Sequence, residues 1–429
     1  MDYEGLLNEL YRLERFGIKL GLETITELLG HMGNPQHRFK TVHVTGTNGK
    51  GSTCAFIASV LRKGGYRVGL YTSPHLIRFN ERIQVDGREI ADADVARIYQ
   101  EMQPAIAKTS GGSKVRQPTF FEVTTAMAFH YFAEREIDIG VIEVGMGGRM
   151  DATNVIRPLV AVLTRIGLEH TEHLGKTEDR IAREKSGIIK PGCRVVTVYQ
   201  PTASLITAQA HALGCPVTVV GQDLQYERVG FDRSGQRLRI TDGGSLELTI
   251  PLLGSYQPEN AAIAFAALRG LSQMGLTIPE KAIVAGFKET SWPGRMQIVR
   301  THPTVIVDGT HNAPGVPTLA ASLKELFPGE KAVFVLGILD DKDLGAFADA
   351  LGPLVSRLVI AKPETPRAYP PDAIAKAFEA HVKDPSIVPK VSEAVDRGIA
   401  LAGRDGLVVV TGSICTAGEA LAHLQGPQG

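Results

Sequence analysis

The segment Gly46-Thr47-Asn48-Gly49-Lys50-Gly51-Ser52-Thr53 sets glycines, one lysine and several hydroxyls side by side. Glycines let backbone N–H groups approach phosphate oxygens, and a helix that starts there adds favourable positive potential. Lys50 is placed to pair with the β- and γ-phosphates of a nucleotide, and a hydroxyl at the helix start, such as Ser52, to reach a divalent cation. The segment departs from the common GxxxxGK[ST] form, because Val44 stands at the first glycine position and Gly51 follows the lysine. The order of lysine and hydroxyls favours nucleotide binding over a plain glycine-rich turn.

Three further segments carry groups able to take part. Glu143 ends the apolar run before Gly145-Met146-Gly147-Gly148. A carboxylate there suits a metal beside a phosphate, or only caps the following turn. His170, in Leu168-Glu169-His170-Thr171-Glu172-His173, leaves another apolar run at the same kind of position. It reads as a metal ligand or as a structural histidine, with His173 one turn on supporting it or exposed. Ala182-Arg183-Glu184-Lys185-Ser186, by pattern alone, is a charge-laced helix face.

Such groups need a scaffold that brings strand ends together. Thr41–Thr45 reads as a buried strand running into Gly46, and Ser52–Lys63 as the helix after it. Tyr66–Tyr71, Ile137–Val144 and Leu159–Ile166 read as further strands, with helical spacing at Leu6–Phe16, Asp92–Lys108 and Glu122–Glu136. This alternation predicts a mostly parallel sheet covered on both faces. Val195–Val198 and Pro216–Val220 add strands around a helix. Gln225–Ile250 then drops to a period of two with glycine turns, the pattern of antiparallel hairpins, before a helix over Asn260–Met274. Ser291-Trp292-Pro293-Gly294-Arg295 interrupts regular structure and is the expected domain boundary. After it the alternation restarts, with strands at Val305–Asp308, Ala332–Leu336, Leu358–Ala361 and Leu407–Thr411. The expected architecture is α/β, with a P-loop ATPase domain over 1–294 and a smaller α/β domain over 295–429.

The whole-chain properties fit an enzyme of small molecules. At 429 residues the chain exceeds one ordinary core. Lys plus Arg and Asp plus Glu are 46 each, so net charge gives no reason to expect a nucleic-acid or membrane partner. The four cysteines form no CxxC pair, which fits a reducing cytoplasm and buried apolar roles. The acidic N-terminus is unlike a signal peptide, and no apolar run is long enough for a membrane helix.

Taken in order, Gly46–Ser52, Tyr71-Thr72-Ser73-Pro74-His75-Leu76, Glu143–Asn154, Glu184-Lys185-Ser186-Gly187-Ile188 and Asp308-Gly309-Thr310-His311-Asn312 resemble the folylpolyglutamate synthase and dihydrofolate synthase family, a branch of the Mur-type ligases. The resemblance spans nearly the whole chain. It implies an N-terminal ATPase domain, a Rossmann-like C-terminal domain and an active site in the cleft between them. Thr47, Asn48, Gly49, Lys50, Gly51 and Ser52 would hold ATP, with Asn260, Arg295 and Asp308 completing the nucleotide site. Ser73, Glu143, His170 and Lys185 would bind two Mg²⁺ ions, Lys185 as the CO₂ adduct of its amine. Lys19, Leu20, Gly21 and Leu22, then Thr119, Phe120, Phe121 and Glu122, then Met150, Asp151 and Ala152, match segments that contact dihydropteroate.

The implied catalytic residues are Lys50, Lys185, Arg295 and His311, the last orienting its loop or assisting the incoming amine. The implied reaction joins L-glutamate to dihydropteroate, and to reduced folates, through an acyl phosphate, in a monomeric cytoplasmic enzyme. Two departures stand out. Glu169 takes the place of the usual Asp, and Gly412-Ser413-Ile414-Cys415-Thr416-Ala417-Gly418-Glu419 differs between its conserved-type ends. Alternatives are a folate-only enzyme; a Mur-type cell-wall ligase, less expected because the phosphate loop near position 46 leaves no room for the extra N-terminal UDP-binding domain those enzymes usually carry; and a P-loop ATPase or kinase.

Overall fold

The structure, a computed structural model, describes residues 3–13, 17, 19–111 and 116–426. The first sheet contains β1 (Lys40–Thr45), β2 (Val68–Tyr71), β3 (Ile83–Val85), β4 (Arg88–Glu89), β5 (Ile139–Glu143), β6 (Val160–Leu163), β7 (Arg194–Val198) and β8 (Val217–Val220). Its spatial order is β4-β3-β2-β5-β1-β6-β7-β8. The strands from β2 to β8 across the sheet run parallel, and only β3 and β4 are antiparallel. Val42, Val44, Val141 and Val162 are fully buried, which is why these strands read as near-continuous apolar runs. The register pairs Val44 with Glu143 and Thr45 with Leu163, so β1, β5 and β6 end at one level. Ligands of open α/β sheets bind beyond such carboxyl ends.

The helix Lys50–Lys63 follows β1 and packs against the helices Gln257–Gln273 and Glu280–Lys288. It is buried along most of its length, including Phe56, Ile57, Val60 and Leu61. The expected hairpins form a separate antiparallel sheet of β9 (Gln225–Asp232), β10 (Gly235–Thr241) and β11 (Ser245–Ile250). The third sheet holds β12 (Gln297–Thr301), β13 (Thr304–Val307), β14 (Ala332–Leu336), β15 (Val355–Ile360), β16 (Ser386–Ile387) and β17 (Leu407–Thr411). Its order is β12-β13-β17-β14-β15-β16, parallel except for β12.

Several sequence expectations need adjustment. The first helix is Tyr3–Arg12, and residues 14–16 of its expected span lie outside the described residues. The β3–β4 hairpin, the edge strands β12 and β16, and the helix Glu280–Lys288 were not expected. Cys193 and Cys215, far apart in sequence, meet with sulfurs 3.8 Å apart, both buried. No helix among the described residues is long and apolar enough to cross a membrane.

The two α/β units interlock. Leu76, from the loop after β2, packs into an apolar cluster of the third sheet with Val307, Val410 and Ala417. Leu253 and Tyr256 enter the cluster on its other face. Arg228 pairs with Glu325, and the Ser255 N–H donates to Ser322 Oγ at 2.9 Å.

Candidate active site

The phosphate loop is shaped by two glycines and held by hydroxyls. Gly46 has φ +151° and Gly49 has φ +90°, backbone states that L side chains rarely adopt. A Cβ at Gly46 would overlap the Thr164 hydroxyl, and one at Gly49 the Asn260 carboxamide. Thr164 Oγ1 instead donates to the Asn48 carbonyl at 2.8 Å, and Thr47 Oγ1 donates to the Gly167 carbonyl at 2.9 Å. The loop after β6 therefore fixes the loop after β1. Lys50, the first residue of its helix, reaches back so that Nζ donates to the carbonyls of Gly46 and Thr47, both at 3.2 Å. Ser52 Oγ accepts from Gln257 Nε2 at 3.2 Å, and Gln257 Oε1 accepts from Asn260 Nδ2 at 3.1 Å. The Trp292 ring covers Gly51.

Glu143 is buried at the end of β5, where Oε2 accepts the Ser73 N–H at 3.2 Å. Burial pushes its carboxyl up, opposed by Lys50, the Ser73 amide, Arg295 and Arg82. Its other carboxylate oxygen and Ser73 Oγ make no hydrogen bond among the described residues. That donor set suits a hard cation such as Mg²⁺, which takes oxygen ligands and keeps positions for phosphate. His170 sits in the left-handed region with φ 49°, and partial burial lowers its pKa, which favours the neutral imidazole able to ligate. Among the described residues no trio of His, Cys, Asp or Glu large enough to hold an ion forms around Glu143 and His170. One such trio, Glu101, His130 and Glu134, lies elsewhere on two helices, where Arg97 already pairs both carboxylates.

Lys185 overturns its reading from pattern alone. Its side chain is not on a solvated face but 2% exposed, with Nζ donating to the Gly46 carbonyl at 2.7 Å. The helix Glu178–Ser186 turns Ile181, Ala182 and Lys185 inward and leaves Arg180 and Arg183 outside. Burial first, and then Lys50, lower the Lys185 amine to about 7, against the pull of Glu169 and Asp151. A positively charged amine there would repel a divalent cation, whereas the CO₂ adduct that the resemblance implies would be an anionic ligand.

Glu169, met in the sequence only as a departure, is drawn into the same cluster. Burial alone would raise it, but Lys50, His170, Lys185 and His311 together hold it below the usual carboxylate value. Asn312 Nδ2 donates to Glu169 Oε1 at 3.1 Å and to Asn48 Oδ1 at 3.0 Å, clasping the two domains across the phosphate loop. Sequence reasoning quoted Asn312 without a role and passed over Gln257, Tyr256 and Thr164, because their partners are far away along the chain.

Asp308, at the end of β13, is fully buried and accepts the N–H groups of Thr310 and Met296, each at 2.8 Å. It shapes the turn that carries Arg295 and His311. Arg295 lies within electrostatic reach of Glu143, Tyr256 and His311. Burial lowers His311 to about 4. The neutral ring meets the Gly309 carbonyl through Nδ1 at 2.8 Å, so Nδ1 carries the proton and Nε2 is an acceptor.

The three segments expected to contact a pterin come together. The Gly21 N–H points to the Met150 carbonyl at 3.4 Å, and Arg116 donates to the Lys19 carbonyl at 3.2 Å and to Glu122 at 2.7 and 3.0 Å. Thr119 and Glu122 form a capping box at the start of the helix Phe120–Glu134. Phe120 stacks on Tyr11, and Phe121 on Tyr71, while covering Gly145. Leu20 and Met150 are exposed at 45% and 37%, and Leu22 and Ala152 sit behind them in the apolar cluster. Asp151 is buried and accepts the Met146 N–H at 2.8 Å and the Thr153 hydroxyl at 2.5 Å, so it fixes the turn after β5.

Comparison with known proteins matches residues 44–268 to the Mur ligase middle domain and 294–414 to the Mur ligase glutamate ligase domain. A Bacillus subtilis dihydrofolate synthase/folylpolyglutamate synthase is 37% identical over 96% of this chain and 96% of its own. The chain belongs to the dihydrofolate synthase/folylpolyglutamate synthase family of Mur-type ligases. A Haloferax volcanii relative, named a probable bifunctional folylpolyglutamate synthase/dihydropteroate synthase, is 35% identical over 98% of this chain, which spans 50% of that protein's length. The Mycobacterium tuberculosis folylpolyglutamate synthase solved with ADP and AMPPCP superimposes with a TM-score of 0.92 at 32% identity, covering 99% of this chain and 100% of the other. Escherichia coli FolC, solved with DHPP and ADP, gives 0.89 at 31% identity, covering 99% and 98%. The α/β two-unit architecture expected from the sequence is the architecture of these ligases.

Proposed function

We propose that this chain joins L-glutamate to dihydropteroate and to reduced folates, using ATP and an acyl-phosphate intermediate. The observation that carries the reading is the convergence of Lys50, Glu143, Glu169 and buried Lys185 around one phosphate loop, with Arg295 and His311 brought to it by the second domain. A carboxylate is a poor electrophile, and its oxygen and the ATP phosphates repel. Lys50 and Arg295 offset that charge as the carboxylate oxygen bonds to the γ-phosphorus and the bond to the ADP oxygen breaks. The amine of glutamate then forms the C–N bond, the acyl C–O bond to phosphate breaks, and the amine proton leaves. His311, neutral with Nε2 free to accept, is placed to take that proton.

Mg²⁺ would be held by Glu143 and Ser73, with His170 and the Lys185 carbamate, and supplies charge neutralisation at the phosphates when bound. The carbamate forms when the neutral Lys185 amine bonds to CO₂ and loses a proton. Leu20, Leu22, Phe121, Met150 and Ala152 offer an apolar wall for a pterin, and Asn260 and Asp308 support the nucleotide side. The relatives' names divide on substrate range. The Lacticaseibacillus casei relative, 36% identical, is named for folylpolyglutamate synthase alone, whereas those of Bacillus subtilis and Escherichia coli carry both activities. ADP release measured with Mg·ATP, glutamate, and dihydropteroate or tetrahydrofolate in turn tests the reading. Turnover with both is expected; glutamate-independent ADP release, or none with either pterin, overturns it.

A further inference from the structure

Between the segment after His170 and the helix Glu178–Ser186 lies a cavity of about 470 Å³ that none of the steps above uses. This size lies within the range of ligand-binding pockets. It is lined by Lys176, Arg180, Arg183 and His173, with Glu172 and Glu184 as its carboxylates. Glu184 is already neutralised: Arg149 donates to both of its oxygens, at 3.2 and 2.5 Å. Lys176, Arg180 and Arg183 have no ion-pair partner among the described residues. The cavity thus presents three unpaired cations against the single free carboxylate of Glu172.

Its position is as informative as its charge. Thr171 of its wall directly follows His170, and Leu174 packs on Gly147 in the turn after β5. On the other flank the Arg149 N–H donates to the Glu184 carbonyl at 2.8 Å, one residue from Met150 on the pterin side. Along the chain the cavity wall is thus joined to His170 on one side and, through Arg149, to the Met150 segment on the other. A folate that already carries several γ-linked glutamates has one α-carboxylate on each, and these inner carboxylates have to be accommodated between the pterin and the carboxylate that is activated.

Resting on the ligase reading above, we infer that Lys176, Arg180 and Arg183 form a subsite for the α-carboxylates of the γ-glutamyl tail already attached to the substrate. The subsite sets how well longer tails are extended. Its contribution is nil for dihydropteroate, which has no glutamate, and grows with tail length.

The test compares the wild-type enzyme with an Arg180→Ala/Arg183→Ala double variant and with Arg180→Lys/Arg183→Lys. The substrates are dihydropteroate and the mono- and triglutamate of tetrahydrofolate, with KM for L-glutamate measured alongside. Each exposed cation that contacts a carboxylate contributes at most roughly five-fold to affinity. The alanine double variant is therefore expected to raise KM for the triglutamate by up to about 25-fold, with kcat held. The dihydropteroate and L-glutamate values should stay within about two-fold, and the lysine variant should recover most of the loss, since the charge remains. Added salt should raise the triglutamate KM more in the wild type than in the alanine variant. An unchanged ratio of triglutamate to monoglutamate KM overturns the subsite. So does an equal loss on dihydropteroate, which would place the arginines in the fold, or a rise confined to L-glutamate, which would make this the site of the incoming amino acid. Wild-type enzyme inactive on every pterin would instead remove the ligase reading itself.

Discussion

His43 offers a quantitative test of how the turn after β5 is held. It lies in β1 with no solvent exposure, and Nε2 meets Thr153 Oγ1 at 2.8 Å. Thr153 Oγ1 spends its proton on Asp151 Oδ1, so Nε2 must be the donor and Nδ1 the bare acceptor. Nδ1 is buried and has no partner among the described residues, so a second proton would create an unsatisfied buried cation. Burial, and secondarily Lys190, lower His43 to about 3 from an ordinary 6.5.

As pH falls below about 6.5 the unfolded chain takes up this proton and the folded chain does not, so stability is complete above that value and declines towards about 3. Each unit is worth ~1.36 kcal/mol, so lowering the pH from about 6.5 to about 5 costs ~2 kcal/mol through this residue. His43→Gln keeps a donor towards Thr153 and cannot titrate. Asp151, which burial raises, is common to both proteins and cancels to first order in the comparison. The assay is urea unfolding followed by fluorescence of Trp292, the chain's single tryptophan, which packs on the same cluster as Val42 and Val44. The wild type should lose ~2 kcal/mol more than His43→Gln between the two pH values. Parallel pH profiles would refute the assignment of an unprotonated, donor-less Nδ1.

Three further outcomes are expected. Lys50→Ala should lower kcat by about 10²–10³-fold with the unfolding midpoint unchanged, since Nζ touches only loop carbonyls; wild-type kcat would remove the phosphate role. Arg295→Ala should lower kcat with little change in pterin KM, and a loss seen only in pterin KM would move Arg295 to the substrate pocket. Lys185→Ala should be nearly inactive and partly restored by short carboxylic acids, and a mass spectrum of intact active enzyme lacking the CO₂ increment under native conditions would speak against the carbamate.

The phosphate loop was legible because its parts are consecutive: glycines, lysine and hydroxyls act within one turn between a strand and a helix. The parallel strands were legible because burial on both faces leaves nearly unbroken apolar runs, and β9–β11 because one-sided burial imposes a period of two. The β3–β4 hairpin and the edge strands β12 and β16 were missed. At two to five residues they carry too few side chains to set a period. What only the tertiary structure decided is nonlocal. Lys185 looked like one charge among many on a polar helix, and became a buried amine against Gly46 because the helix was docked onto the loop 139 residues earlier. Glu169 and Asn312 acquired meaning when Asn48 and Asn312 closed a contact 264 residues apart in the chain. Local sequence determines which chemistry each segment can offer. Which groups share a dielectric, a proton or a phosphate depends on burial and distance, and those quantities exist only after the sheets and the two domains have packed.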